Sequence, residues 1–155
     1  MSLVDKMIAV DLLKYKEELQ ITYADGKTFV KDPIRKKNII LQPEELVRQL
    51  LLCYFIKSTN FHRNQIQVEK KIQIHDLIRR FDIVIYNKEV TPFLLVECKA
   101  PDIKINQSTF DQIAVYNMKL NAPYLLVSNG INTYCVQINH DTKSYEFLTE
   151  IPQSF

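Results

Sequence analysis

The 155 residues are 46% hydrophobic and 25% charged, which is the composition of one ordinary globular domain with a real core. No apolar run approaches the ~20 residues of a membrane-spanning helix, and the N-terminus has no secretion-signal pattern. Cys53, Cys98 and Cys135 form no Cys-x-x-Cys pair, so we expect buried thiols in a reducing cytoplasm rather than disulfides or zinc ligands. The formal charge of +2 is too small to indicate a class of partner.

The distribution of the basic residues is more informative than their number. They are concentrated in two short groups: Lys31, Arg35, Lys36 and Lys37, and then Lys70, Lys71, Arg79 and Arg80. A solvated protein face is the more common origin of such groups. A surface that binds phosphate is the alternative.

The N-terminal third predicts a helix, a hairpin and a second helix. Apolar residues in 4–19 have helical spacing, and two short segments at 20–23 and 28–30 flank the turn dipeptide Asp25-Gly26. Pro43 is typical of a helix start, and it is followed by a stripe of apolar residues with helical spacing: Val47, Leu50, Leu51, Tyr54 and Phe55.

The remainder predicts strands and one more helix. Residues 66–74 form an extended segment, and the apolar runs 81–86 and 93–98 form a hairpin around the loop 87–92. The pattern at 108–120 fits a helix. Three further strands are predicted at 124–127, 134–138 and 145–148. The sum is one α/β domain with a central mixed sheet flanked by helices on both sides.

The predicted hairpin brings charged residues together. If the loop 87–92 is symmetric, Asp82 faces Glu97 across the strand pair, with Cβ atoms about 5 Å apart. Strand alternation then places Lys99 on the face of Glu97 and Cys98 on the opposite face.

Two adjacent carboxylates repel each other unless a cation neutralises them, and a hard divalent ion such as Mg²⁺ prefers oxygen ligands. Such an ion would activate water and stabilise charge on a phosphate, and Lys99 could assist that water. A surface salt-bridge ladder explains the same spacing equally well. Two details favour a functional site: Glu97 and Lys99 end the apolar run 93–96, and Arg79 and Arg80 directly precede Asp82.

The pattern Phe81-Asp82, Glu97-Cys98-Lys99 and Gln112-x-x-x-Tyr116 resembles the PD-(D/E)XK nuclease superfamily with its Gln-x-x-x-Tyr extension. More closely, the chain resembles the N-terminal nuclease domain of the R subunit of type I restriction enzymes. The supporting stretches are Asp32-Pro33-Ile34-Arg35-Lys36-Lys37, Pro43 to Gln49, Arg80 to Tyr86, Val96 to Pro101, Asp111 to Asn117 and Ser128-Asn129-Gly130. A lone Asp…Glu-x-Lys would be weak support, but these ordered blocks run from about Asp32 to the end of the sequence.

The resemblance implies roles for the central residues. Asp82 and Glu97 would bind the metal together with the backbone carbonyl of Cys98, and Lys99 would serve the attacking water. The metal would be Mg²⁺, with Mn²⁺ as a substitute. Gln112 and Tyr116, one helical turn apart, would contact substrate or brace the site. For Tyr116 a core aromatic is an equally good interpretation.

Four flanking residues complete the implied site. A glutamate of the helix after Pro43 often adds a metal ligand, and we choose Glu45 over Glu44, although both also suit the helix dipole. Arg48 would pair with that glutamate, and Arg48 and Arg80 would bind substrate or brace the site. Phe81 stands where the name-giving proline is sometimes found, a departure without chemical consequence.

The resemblance implies a single nuclease-like domain over 1–155, with a helix and hairpin extension at 1–40 and the nuclease core at 41–155. The chain is too short for a nuclease joined to a motor, and it lacks the Gly-x-x-x-x-Gly-Lys-Ser/Thr phosphate loop of the motor in R subunits. Its expected partners are DNA and the motor, specificity or modification subunits, with a homodimer left open. The expected function is a Mg²⁺-dependent endodeoxyribonuclease. A non-cleaving DNA-binding or assembly module that keeps the fold is the alternative.

Overall fold

The computed structural model describes residues 2–118 and 120–153, apart from the side chains of Ile74, Leu77 and Tyr116. A small antiparallel sheet contains β1 (Ile21–Ala24), β2 (Lys27–Lys31) and β3 (Asn38–Ile40). Helix α1 spans Pro43–Ser58 and helix α2 spans Gln107–Asn117. The large sheet contains six strands: β4 (Ile66–Ile74), β5 (Leu77–Tyr86), β6 (Pro92–Cys98), β7 (Tyr124–Ser128), β8 (Thr133–Asn139) and β9 (Ser144–Phe147).

The large sheet is mixed. Its strands lie in chain order, and every neighbouring pair is antiparallel except β6 and β7, which are parallel. A parallel pair needs a crossover connection, and α2 lies in that connection.

The two helices cover opposite faces of this sheet. On one face, Val47 and Phe55 of α1 pack in a buried cluster with Ile83 and Leu94. On the other face, Phe110 and Ala114 of α2 pack with a second buried set that includes Phe81, Val84, Leu95, Leu125 and Val127. The predicted restriction-endonuclease-like arrangement, a mixed sheet with helices on both sides, is therefore confirmed. In the described part of the chain, neither helix is long and apolar enough to cross a membrane.

The predicted N-terminal helix over 4–19 is wrong. The segment forms two 3-10 turns, Leu3–Lys6 and Leu13–Glu18, and between them the backbone N–H of Ile8 donates to the carbonyl of Thr133 at 2.8 Å. The apolar residues of this segment are nevertheless core residues, since Ile8, Leu12 and Tyr15 are buried in the α1-side cluster. Tertiary contacts therefore decide the backbone conformation here.

The other predicted elements are found with shifted ends. The β1–β2 hairpin turns at Asp25 and Gly26, which have φ values of 51° and 73°, as a two-residue hairpin turn of the primed type requires. Strand β5 begins at Leu77 rather than at 81, and α2 ends at Asn117 rather than at 120. Strand β3 was not predicted, because three residues give too short a pattern to recognise.

Gly130, after β7, is the position where the fold requires glycine most strictly. Its φ is +88°, and a Cβ atom there would lie 3.2 Å from Cγ2 of Val47 in α1. Gly26 has φ +73° but open space around it. Gly130→Ala should therefore lower the free energy of unfolding by more than the ~1–2 kcal/mol of left-handed strain expected for Gly26→Ala. Urea denaturation of both variants measures the difference, and equal losses would show that the contact with Val47 has no cost.

Candidate active site

The β5–β6 pair has the register that the symmetric loop predicted. Ile83 lies opposite Val96 and Ile85 opposite Leu94, and the same register continued by one residue places Asp82 opposite Glu97. The Oδ2 atom of Asp82 accepts a hydrogen bond from the backbone N–H of Cys98 at 2.7 Å. The two carboxylates therefore meet where β5 and β6 end their pairing.

Alternation along β6 also follows the prediction. Cys98 is buried with Leu94 in the α1-side cluster, whereas Leu95 belongs to the α2-side cluster. Glu97 and Lys99 are only partly buried. The backbone N–H of Lys99 donates to the carbonyl of Ser128 at 2.9 Å, so β7 fixes the backbone that carries the lysine.

Arg48 of α1 is bound directly to the site. Its Nη2 atom donates to Oδ1 of Asp82 at 2.7 Å, and its Nη1 atom donates to Oε1 of Glu45 at 3.0 Å. Burial alone would lower the pKa of Arg48, but the negative charges of Glu45 and Asp82 outweigh burial and raise it. The arginine therefore stays charged and joins the first turns of α1 to the middle of β5.

The choice of Glu45 over Glu44 as a metal ligand stays a prediction, and the two side chains have different surroundings. The side chain of Glu45 is 8% exposed, and its Oε1 accepts from Arg48 and, at 2.8 Å, from Nη2 of Arg35. Glu44, in contrast, lies close enough to Asp82 and Lys99 for their charges to act on it. Burial raises the pKa of Glu44, and the negative charge of Asp82 raises it further. The pairing predicted between Arg48 and the chosen glutamate is observed.

Glu97 is the residue most strongly affected by this concentration of negative charge. Burial, the negative charge of Asp82 and a hydrogen bond with Asp82 together raise its pKa to about 8, against the opposing charge of Lys99. Carboxylates that hold a proton near neutral pH are poorly neutralised by the residues around them. The pair therefore suits a divalent cation, which would replace that proton.

The oxygen atoms at this site also fit the coordination that Mg²⁺ prefers. In the described residues, no three His, Cys, Asp or Glu side chains are placed to hold one ion together. Mg²⁺ commonly takes one or two carboxylates and keeps several waters, so Asp82, Glu97 and a backbone carbonyl such as that of Cys98 are a sufficient protein contribution.

Two of the outlying predicted residues, Gln112 and Arg80, are not brought into contact with the carboxylates. Gln112 is exposed on α2, and the side chain of Tyr116 lies outside the described residues. The side chain of Arg80 is 55% exposed and lies 3.9 Å from Glu69. Among the described residues, no hydrogen bond or ion pair joins Gln112 or Arg80 to Asp82 or Glu97.

Asp32 lies in the network of charged residues around the site, although no role was predicted for it from the sequence. It is fully buried and its Oδ1 accepts from the backbone N–H groups of Ile34 and Arg35, while its Oδ2 accepts from Nε of Arg35 and Nε2 of Gln49. Burial alone would raise the pKa of Asp32, but these hydrogen bonds outweigh it and lower the pKa. The usable signal was Asp-Pro followed by an arginine, a turn sequence that satisfies its own backbone.

Together the mixed sheet, its two helices and the carboxylate pair define a domain of the restriction-endonuclease-like class. Residues 43–152 match the family model described as type I restriction enzyme R protein N terminus. This match covers more than half of the sequence, so the chain belongs to that family.

Two further comparisons add little to this assignment. Among solved structures, the chain is similar to a fragment assigned to the HsdR subunit of a type I restriction enzyme from Vibrio vulnificus YJ016, with 16% identity and a TM-score of 0.49. The similarity covers 72% of this chain and 24% of that chain, so this chain spans about a quarter of its structural neighbour. Comparison with curated proteins gives no match.

The raised pKa of Glu97 predicts an unusual pH dependence of stability for the metal-free protein. Between the ordinary value of 4.5 and about 8, the folded chain keeps a proton that the unfolded chain has lost. Stability contributed by this group is therefore present at low pH and lost as the pH rises through that window. Glu97→Gln should remove this loss, and urea denaturation in EDTA at pH 5, 7 and 9 measures it.

The matched control is Glu146→Gln, which neutralises an exposed glutamate of β9. This variant should keep the wild-type pH profile of unfolding. If Glu97→Gln also keeps that profile, Glu97 does not hold a proton in the folded protein.

Proposed function

We propose that this chain is a divalent-metal-dependent endodeoxyribonuclease domain of the kind found in type I restriction R subunits. The observation that carries the proposal is the register of β5 and β6, which sets Asp82 opposite Glu97 and leaves Lys99 two residues further on. Family membership supports the same activity.

In this proposal Asp82, Glu97 and the carbonyl of Cys98 hold Mg²⁺, for which Mn²⁺ can substitute. When bound, the ion supplies Lewis-acid stabilisation of the phosphate and lowers the pKa of a bound water. Asp82 is held by Arg48 and by the Cys98 N–H, so its carboxylate does not have to reorganise when the ion binds. Glu44 lies near enough to join through a water.

Lys99 acts on the attacking water and on the phosphate. Hydrolysis forms a bond between a water oxygen and phosphorus and breaks the bond from phosphorus to the sugar oxygen, which leaves with a proton. The ammonium group of Lys99 can orient the water and stabilise the negative charge that develops on the phosphate. The partly buried position of Lys99 beside Glu97 suits this role.

The substrate and setting of this activity follow from the family. DNA would be the substrate, and exposed basic residues such as Arg80 would contact its phosphates. The partners would be the motor, specificity and modification subunits of a type I system, in the cytoplasm. The motor of such a system would deliver the DNA.

One observation favours a second candidate, a DNA-binding or assembly module that does not cleave. Arg48 already neutralises part of the charge of Asp82 through its 2.7 Å ion pair. A site whose carboxylate is satisfied by arginine has less need of a metal ion. Salt-dependent DNA binding without cleavage in Mg²⁺ or Mn²⁺ would support this candidate over the first.

Lys99→Ala should reduce DNA cleavage by at least ~100-fold, because the variant removes the group that serves the water. The measurement is the rate of cleavage of supercoiled plasmid in Mn²⁺. Lys88→Ala is the control, because Lys88 is an exposed lysine in the loop at the other end of the β5–β6 hairpin. Undiminished cleavage by Lys99→Ala would overturn the proposed role.

Metal binding can be tested without a substrate by calorimetric titration with Mn²⁺. Asp82→Asn should lose most of the binding heat, while Asp25→Asn, at the exposed β1–β2 turn, should keep it. Asparagine is preferred to alanine because it can still accept from Arg48, which would otherwise be left buried without that partner. Equal Mn²⁺ affinity in wild type and Asp82→Asn would exclude Asp82 as a ligand.

A further inference from the structure

A continuous series of charged contacts leads from the N-terminal extension to Asp82. Arg35 donates through Nε to Oδ2 of Asp32 and through Nη2 to Oε1 of Glu45, each at 2.8 Å. The same Oε1 atom of Glu45 accepts from Nη1 of Arg48 at 3.0 Å, and Nη2 of Arg48 donates to Asp82 at 2.7 Å. Five side chains are thus linked without a gap, and we call them the charge relay chain: Asp32, Arg35, Glu45, Arg48 and Asp82.

The charge relay chain is buried in its middle and at Asp32, and partly buried at Arg35 and Asp82. The exposed fractions of the five side chains are 0%, 15%, 8%, 6% and 15% in the order given. Surface ion pairs contribute little, but removing one partner of a buried pair leaves the other charge without compensation. Each member of the charge relay chain therefore depends on its neighbours.

Glu45 is the branch point of the series. Its Oε1 atom is shared by two guanidinium groups, and its Oε2 atom lies 3.4 Å from Nε2 of Gln49. Glu69 of β4 lies near the same two arginines, 3.8 Å from Arg35 and 3.5 Å from Arg48. If Arg35 is lost, Arg48 is the remaining positive charge on Oε1 of Glu45, and its hydrogen bond to Asp82 weakens.

Asp32 and Arg35 lie outside residues 43–152, the part of the chain that matches the family model. The turn that carries them is rigid, because Asp32 binds the backbone N–H groups of Ile34 and Arg35 at 2.8 and 2.7 Å. Three ion pairs join this rigid turn to a candidate metal ligand, so the turn does more than attach the extension to the core.

We propose that the turn at residues 32–35 is part of the functional unit, with Arg35 as a positioning residue that acts on Asp82 through Glu45 and Arg48. This inference rests on the proposed function for its catalytic consequence, although the coupling itself does not depend on it. The nuclease unit then begins at residue 32 or before it, not at the start of α1.

The first test is Arg35→Gln in the full chain. Because Arg35 does not touch the site, the kcat for DNA cleavage should fall by roughly 10- to 100-fold, as for other residues that orient metal ligands, while KM changes less than ~2-fold. The control is Lys27→Gln, which removes an exposed positive charge from β2 of the same extension and should keep wild-type kcat and KM. A rise in KM with unchanged kcat would overturn the proposal, since it would make Arg35 a DNA-binding residue.

Arg35→Lys separates geometry from charge and covers the case in which the glutamine variant does not fold. Lysine keeps the positive charge but has no planar group that can bind Asp32 and Glu45 at once. The lysine variant should therefore keep most of the kcat defect. Full rescue of kcat by lysine would overturn the positioning role, because charge alone would then suffice.

A double-mutant cycle in urea denaturation tests the coupling without metal or DNA. Arg35 and Asp82 share no direct contact among the described residues, so their effects should add unless the intermediate residues couple them. In the Asp82→Asn background Arg48 is freer to serve Glu45, so Arg35→Gln should shift the urea midpoint by less than it does in wild type. Additive shifts would overturn the charge relay chain whatever the catalytic result.

The two proposals can therefore fail separately. Wild-type protein that binds no Mn²⁺ and cleaves no DNA, combined with non-additive urea midpoints, would contradict the nuclease and leave the coupling established. Normal cleavage by wild type combined with additive midpoints would contradict the coupling alone.

Discussion

The carboxylate of Asp82 is held at both of its oxygen atoms, by the backbone N–H of Cys98 on one side and by Arg48 on the other. This arrangement joins three elements at one point: the strand that carries Asp82, the neighbouring strand that carries Glu97 and Lys99, and helix α1. The orientation of every other charged group near the site depends on it. The negative charge of Asp82 acts on the neighbouring Glu97 and also on Glu44. Glu45 instead forms ion pairs with the two arginines.

Much of the strand geometry could be predicted because it is local. The assumption of a symmetric loop 87–92 predicted the pairing of Ile83 to Ile85, although a register shift follows between Ile85 and Tyr86. Alternation then separated Cys98 from Glu97. Pro43 marked the start of α1 for an equally local reason, since a helix begins readily at proline. These inferences needed no knowledge of distant parts of the chain.

The failures involve contacts between distant parts of the chain. Residues 4–19 have helical spacing, but their apolar side chains are buried by the core and their backbone bonds to β8. Glu44 and Glu45 are equivalent by propensity, but Glu45 contacts both Arg48 and Arg35, which lies ten residues earlier. No pattern in the sequence encodes the contact with Arg35, because it depends on how the extension folds back on α1.

The single parallel pairing of the described sheet, between β6 and β7, divides it into two halves with different folding requirements. Strands β4, β5 and β6 are joined by short turns, as are β7, β8 and β9, so each half can form from contacts that are close in sequence. The pairing of β6 with β7 closes a longer loop, the crossover through α2, and therefore costs more chain entropy. The opposed carboxylates belong to the first half alone. Their proximity is therefore set by the pairing of β5 with β6 and does not require the parallel pairing of β6 with β7.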